Sequence, residues 1–166
     1  PPNISCRYFT FSTEFIIWAR KSPKVAHYFN YELMKQLNGN KQMTDVWQLP
    51  AIGRWEKSCG KHPTQKPLSV LARLIQASTK SGAWILDPFN GSATTGIAAN
   101  LLGRRYLGLE LEDEFLSISK ARREEIENLS IRGNYLERLA KAKIIPPQDN
   151  FHVVADNELD YGVPWL

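Results

Sequence analysis

Cysteine is scarce. The 166 residues hold only Cys6 and Cys59. They form no CxxC pair and no metal-ligand cluster, so a disulfide framework is excluded and free thiols in a cytoplasmic chain are expected. Long apolar runs are missing too. The longest, such as Phe15 to Ala19 and Ala83 to Leu86, fall far short of a membrane span. The first residues, Pro1-Pro2-Asn3, show no basic region followed by an apolar core, so no signal peptide is read. Neither a membrane nor a metal is expected. Internal repeats and low-complexity tracts are also absent. Against these absences stands an ordinary globular composition, 43% hydrophobic and 23% charged, which argues against disorder. At this length it allows one domain with a sizeable core.

The net charge of +4 is unevenly spread. Residues 1–66 hold ten Lys and Arg against four Asp and Glu, and residues 67–166 hold eleven against thirteen, leaving +6 and −2. The first part is a candidate for contact with a polyanion. On charge alone, a solvated surface is the simpler reading. Its aromatics, among them Tyr8, Phe9, Phe11, Tyr28, Phe29, Tyr31, Trp47 and Trp55, suit either nucleic acid or a core.

The apolar, β-prone run from Thr13 to Arg20 predicts a buried strand. Residues 22–61 are irregular, with turn signals at Asn38-Gly39-Asn40 and Ile52-Gly53 and one helix around Tyr31 to Leu37. From Pro67 to Asn128 the pattern alternates helix, strand, helix, strand, helix. Pro67 sits where a first helical residue would, followed by an apolar face of Leu68, Leu71, Leu74 and Ile75. Ala83 to Leu86 reads as a short buried strand ending in Asp87. A glycine-containing loop leads to a helix with Ile97, Ala98, Leu101 and Leu102 inward and Gly103 as its cap. A second strand covers Tyr106 to Leu111, and Glu112, Asp113 and Glu114 open the next helix, where the dipole favours acids. A last helix is expected around Tyr135 to Lys143, broken by Pro146-Pro147, before an acidic tail from Asp149. Strand, loop, helix and parallel strand place the chain in the α/β class.

The loop after Asp87 reads Gly91-Ser92-Ala93-Thr94-Thr95-Gly96, a G-x-A-x-x-G one methyl from the nucleotide-binding fingerprint. Small residues there let a ligand approach the backbone at a helix N-terminus. Glu110 follows nineteen residues after Gly91, where an acid can accept hydrogen bonds from two ribose hydroxyls. The pattern indicates an adenosine-type ligand and leaves nicotinamide dinucleotide and S-adenosylmethionine open.

Upstream stands His62-Pro63-Thr64-Gln65-Lys66-Pro67, then an amphipathic stretch, then Asp87-Pro88-Phe89-Asn90-Gly91-Ser92-Ala93-Thr94-Thr95. Alone, His62 and Lys66 would read as a helix-capping surface loop. Together the two segments resemble the HPTxKP and DPFxGSGTT elements of the DNA amino-methyltransferases. The likeness runs over about residues 7–127 and is to the permuted group, with its catalytic half first and cofactor half last. It implies a Rossmann-like sheet, mostly parallel, with helices on both faces and incomplete in this chain. It also implies S-adenosylmethionine as cofactor and double-stranded DNA as partner, as in restriction–modification systems. By this resemblance Gly91, Ser92 and Ala93 form the floor under the methionine part and ribose, with Asp87 and Phe89 beside them. Thr64, Lys66, Thr94 and Thr95 hold the methionine ends, Glu110 binds the ribose diol, and Leu111 covers the adenine. Residues 1–21 would be a strand of the catalytic half, 22–61 the target-recognition region, 62–129 the cofactor core and 130–166 a helix and tail. Lys35, Lys41, Arg54 and Lys57 are the candidates for phosphate contact.

Two departures stand out. Ala93 replaces the family's usual glycine. The D/N/S-P-P-Y/F/W element, which holds the target amino group and stacks on the flipped base in this family, does not occur in the 166 residues. No catalytic residue is therefore assigned. The chain is expected to be a C-terminal portion that transfers no methyl group alone, either forming a homodimer or having its missing N-terminal half supplied by another chain. Adenine N6 is the expected target. Cytosine N4 and a non-catalytic cofactor- or DNA-binding module are the alternatives. A nicotinamide-dependent oxidoreductase would leave the His62 to Pro67 element without a role.

Overall fold

The computed structural model describes residues 7, 9 and 12–147. Five α-helices and two strands follow one another as α1 (Tyr31–Leu37), α2 (Leu68–Ser78), β1 (Trp84–Asp87), α3 (Thr94–Leu101), β2 (Arg105–Gly108), α4 (Asp113–Glu125) and α5 (Leu129–Lys141), with a 3-10 helix at Arg54–Lys57. β1 and β2 pair in parallel, from Trp84 opposite Arg105 to Asp87 opposite Gly108. Parallel pairing requires a crossover, and α3 supplies it. The α/β class read from the sequence holds.

The core lies where α2, α3 and α5 meet the sheet. Leu68, Ala72 and Ile75 of α2 face Ile97, Ala98 and Leu101 of α3, joined by Ile126, Tyr135, Leu139, Ile144 and Ile145. Burying each large aliphatic side chain contributes about 1.5–3 kcal/mol. Ile144 and Ile145 follow α5 and are held in place by Gln76, whose Nε2 donates to the Ile144 carbonyl at 2.7 Å. Cys6 and the tail expected from Asp149 lie outside the described residues, whereas Pro146 and Pro147 are described and stand in non-helical backbone after the end of α5. Cys59 is a free, half-buried thiol.

Several expectations are corrected. Residues 13–20 form no strand, and Phe15 and Ile17 stand in solvent. A strand needs partner backbone groups, and among the described residues none pairs with this run. The two strands are not buried on both faces. Ile85 and Tyr106 pack against the core, while Trp84 and Leu86 on the opposite face are 56% and 61% exposed. β2 ends at Gly108 rather than Leu111, so Glu110 lies just beyond the strand. α5 starts six residues before Tyr135. The Asn128 side chain caps it by accepting from the Ser130 and Ile131 amides at 3.0 and 3.2 Å.

Pro67 occupies the N-cap of α2 rather than its first turn, with ψ of 137°. Proline has no side chain to accept from the helix N-terminus. Glu56, brought in by the 3-10 helix, takes that place. One of its carboxylate oxygens accepts from the Leu68 amide at 2.7 Å and the other from the Gly53 amide at 3.1 Å. Its own carbonyl accepts from Gln65 Nε2 at 2.7 Å. Buried Glu56 thus fixes the segment preceding α2. Glu56→Ala leaves two amides without their acceptor, and an unsatisfied buried donor costs about 1–3 kcal/mol. The variant should unfold at a clearly lower denaturant midpoint with an unchanged slope.

Candidate functional site

Residues 87–94 link β1 to α3, and each hydrogen bond in the loop limits where the next residue can go. Asp87, the last residue of β1, accepts from the Phe89 amide at 3.0 Å with one oxygen and from the Thr95 hydroxyl at 2.6 Å with the other. One carboxylate therefore closes the loop from both ends. The strand ladder continues past the sheet: the Leu109 amide donates to the Asp87 carbonyl and the Asn90 amide to the Leu109 carbonyl, both at 2.9 Å. Tyr106 donates its hydroxyl to Asn90 Oδ1 at 2.5 Å. Burial, then the nearby Asp87 carboxylate, push the Tyr106 phenol well above its ordinary value.

The glycine pattern now has physical content. Gly91 has φ +53°, and a Cβ there would lie 3.0 Å from His62 Nε2. Gly96 admits the Tyr106 ring, which would stand 2.6 Å from an added Cβ. Between them Ala93 has φ 58° and ψ 34°, the left-handed conformation that glycine adopts freely. An L-residue held there costs about 1–2 kcal/mol. The departure at Ala93 thus falls at a position where the backbone itself favours glycine.

Glu110 reaches across to this loop. One oxygen accepts from the Gly91 amide at 2.6 Å, and the other from the Leu111 and Glu112 amides at 2.9 and 3.0 Å. These backbone bonds, that from Glu112 foremost, hold its carboxyl below the usual 4.5, helped by the nearby His62. His62 packs on the Phe115 ring at 4.2 Å between centroids and lies against Gly91. The His62 to Pro67 segment thereby meets the loop through its histidine, a residue the sequence reading left without a ligand role. Thr64 donates its amide to His62 Nδ1 at 3.3 Å, and Lys66 pairs with Glu14 at 2.8 Å. Phe89 and Leu111 flank the loop at 88% and 98% exposure.

The Ser92 and Thr94 side chains turn inward. Both meet Arg122, which is 1% exposed at the C-terminal end of α4. Its Nη1 donates to the Ser92 carbonyl at 2.6 Å, to Thr94 Oγ1 at 3.0 Å and to Ser92 Oγ at 3.2 Å. Sequence reasoning missed this residue. Arg122-Arg123 looks like a solvated pair, and only packing separates the buried member from Arg123, which pairs with Glu127. The four candidate DNA contacts fall in two places, Lys35 on α1 with Lys41 just after it, and Arg54 and Lys57 on the 3-10 helix. Lys41 and Arg54 are exposed, and Lys35 and Lys57 are half-buried. Among the described residues no His, Cys, Asp and Glu group could hold a metal, and no helix is long and apolar enough to cross a membrane.

A group with a lowered folded value gives stability that is present above its unfolded value and lost as pH falls through the folded one. Glu110 is such a group. In Glu110→Gln the stability deficit relative to the parent should be full above pH 4.5 and shrink steadily as the solution is acidified below it. Denaturant midpoints measured across that range check this, and a deficit independent of pH counts against the tie to Gly91.

A family model described as DNA methylase, of the N6/N4 type, matches residues 1–121. The chain is similar to the Type II methyltransferase M2.MboI of Moraxella bovis, with 58% identity over 141 residues, 85% of this chain and 51% of that protein. It is also similar to M2.DpnII of Streptococcus pneumoniae, with 59% identity over 124 residues, 74% of this chain and 46% of that protein. The chain thus spans about half the length of these curated relatives. Among solved structures, a complex of M1.HpyAVI with SAM is 33% identical over 60% of this chain and 45% of that one, at a TM-score of 0.46. With the family match covering well over half its residues, the chain belongs to the N6/N4 DNA methylases.

Proposed function

We propose that this chain carries the S-adenosylmethionine-binding part of a site-specific DNA methyltransferase that modifies adenine at N6. The observation that carries the reading is the tie between Gly91 and Glu110 at the mouth of the loop, an acidic side chain held against a close-approach glycine. The residues fit the group. The loop at Gly91, Ser92 and Ala93 is built of small residues, the first-turn amides of α3 have no intrahelical acceptor, and apolar Phe89 and Leu111 stand at the rim.

In this reading Gly91, Ser92 and Ala93 line the floor under the methionine part and ribose, with Asp87 closing the loop behind them. Thr94 and Thr95 serve through the helix N-terminus, since their hydroxyls already bond Arg122 and Asp87. Thr64 and Lys66 meet the methionine carboxylate, Lys66 exchanging its Glu14 partner. Glu110 accepts from the ribose hydroxyls and Leu111 covers the adenine. When bound, the cofactor supplies a methyl group activated by a cationic sulfur. This chain's part is to orient it and to keep the ribose end fixed. Lys35, Lys41, Arg54 and Lys57 contact DNA phosphates.

The target amino group is a poor nucleophile and needs positioning. The D/N/S-P-P-Y/F/W element that positions it in the family is not among these residues. A second polypeptide or a further segment supplies it and covers the open sheet face at Trp84 and Leu86. The 166-residue chain incubated with DNA and labelled S-adenosylmethionine should transfer no label. Adding a polypeptide that carries the element, fused or separate, should restore transfer to N6-methyladenine on nucleoside analysis. Robust transfer by the chain alone, or product at cytosine N4, overturns the corresponding part.

Binding gives two further checks. Glu110→Ala should weaken S-adenosylmethionine affinity about tenfold to a hundredfold by calorimetry, as expected for charge-assisted hydrogen bonds. An unchanged constant, or preference for a nicotinamide dinucleotide, counts against the cofactor assignment. Each phosphate contact contributes about 0.9 to the slope of log affinity against log salt, so replacing the four cations together should flatten that slope by roughly 3–4.

A further inference from the structure

Arg122 is a costly residue to bury. It is almost wholly enclosed, and its Nε and Nη2 have no hydrogen-bond partner. An apolar side chain of similar size would serve packing alone at least as well. What the guanidinium does instead is local. A single nitrogen, Nη1, bonds the carbonyl of Ser92 and the hydroxyl of Thr94, the two residues on either side of Ala93. Ala93 itself is held left-handed at φ 58°. Its amide donates to the Asn90 carbonyl and its carbonyl accepts from the Ile97 amide, each at 2.9 Å. Relaxing Ala93 to negative φ would swing Ser92 away from Thr94, break at least one Arg122 bond and unwind the first turn of α3. Arg122 therefore spans the one non-glycine residue in the loop whose backbone most needs holding.

We infer that Arg122 is a positioning residue that locks the cofactor loop across Ala93 and offsets the strain of an L-residue there, a statement about ligand affinity that rests on the S-adenosylmethionine reading above. Arg122 touches no ligand in this scheme and acts through Ser92 and Thr94. The distinctive consequence is coupling. If glycine replaces Ala93, the left-handed turn no longer needs to be enforced, and Arg122 becomes partly dispensable.

The test compares the parent protein with Arg122→Met, Ala93→Gly and the double variant. Calorimetry reads S-adenosylmethionine affinity, and hydrogen exchange reads the Ala93 and Ile97 amides without ligand. Arg122→Met should weaken affinity at least tenfold and speed exchange at both amides at least tenfold. In the double variant both quantities should return to within about threefold of Ala93→Gly alone. Unchanged values in Arg122→Met, or effects of the two substitutions that simply multiply, overturn the inference and reduce Arg122 to a packing residue. If Arg122→Met does not fold, Arg122→Lys, which keeps a cation but whose side chain ends one atom short of the Nη1 position that bonds Ser92 and Thr94, is read in the same cycle. If the parent shows no saturable S-adenosylmethionine binding, the functional reading fails, and the exchange cycle still decides the role of Arg122.

Discussion

Parallel pairing of β1 with β2 is the constraint on which the rest depends. Two parallel strands cannot be joined by a tight turn, so the chain leaves β1 at Asp87, climbs through α3 and returns to β2. Both strands then end on the same side of the sheet. Asp87 and Gly108 stand in register there, and everything that follows each strand gathers at one rim. The loop 87–94 and residues 109–112 become neighbours through the ladder bonds between Asp87, Leu109 and Asn90. Glu110 meets Gly91 because of that crossover, nineteen residues along the chain from it.

The rim is held from three directions. From the strand side, Asp87 closes the loop onto Phe89 and Thr95. From the opposite strand, Glu110 bonds Gly91 while Tyr106 bonds Asn90. From beneath, Arg122 of α4 holds Ser92 and Thr94. Each contact comes from a different element, so the loop's shape is a property of the packed unit rather than of its own sequence. Such over-determination is what lets Ala93 persist at positive φ, where it would otherwise relax.

The same sheet leaves one face open. Ile85 and Tyr106 pack toward α3, while Trp84, Leu86 and Leu107 present apolar surface outward. Contiguous exposed apolar surface on a sheet face marks a place of contact.

The sequence by itself determined the alternation of helix and strand from Pro67 onward, the loop with its small residues, and the acid after the second strand. Those are local matters, set by apolar spacing, by glycine and by segment order. It also carried two motifs dense enough to place the family. It could not decide the fate of residues 13–20, because a β-prone run becomes a strand only if another backbone meets it. Nor could it tell Arg122 from Arg123, or see that Glu56 caps α2 in place of Pro67, because both depend on elements distant in the chain meeting at one point. The meaning of Ala93 divides in the same way. The departure from glycine was legible in the letters, but its left-handed backbone and the guanidinium that spans it were decided by tertiary packing, since only α4 folded against the loop brings that nitrogen within reach of both neighbours.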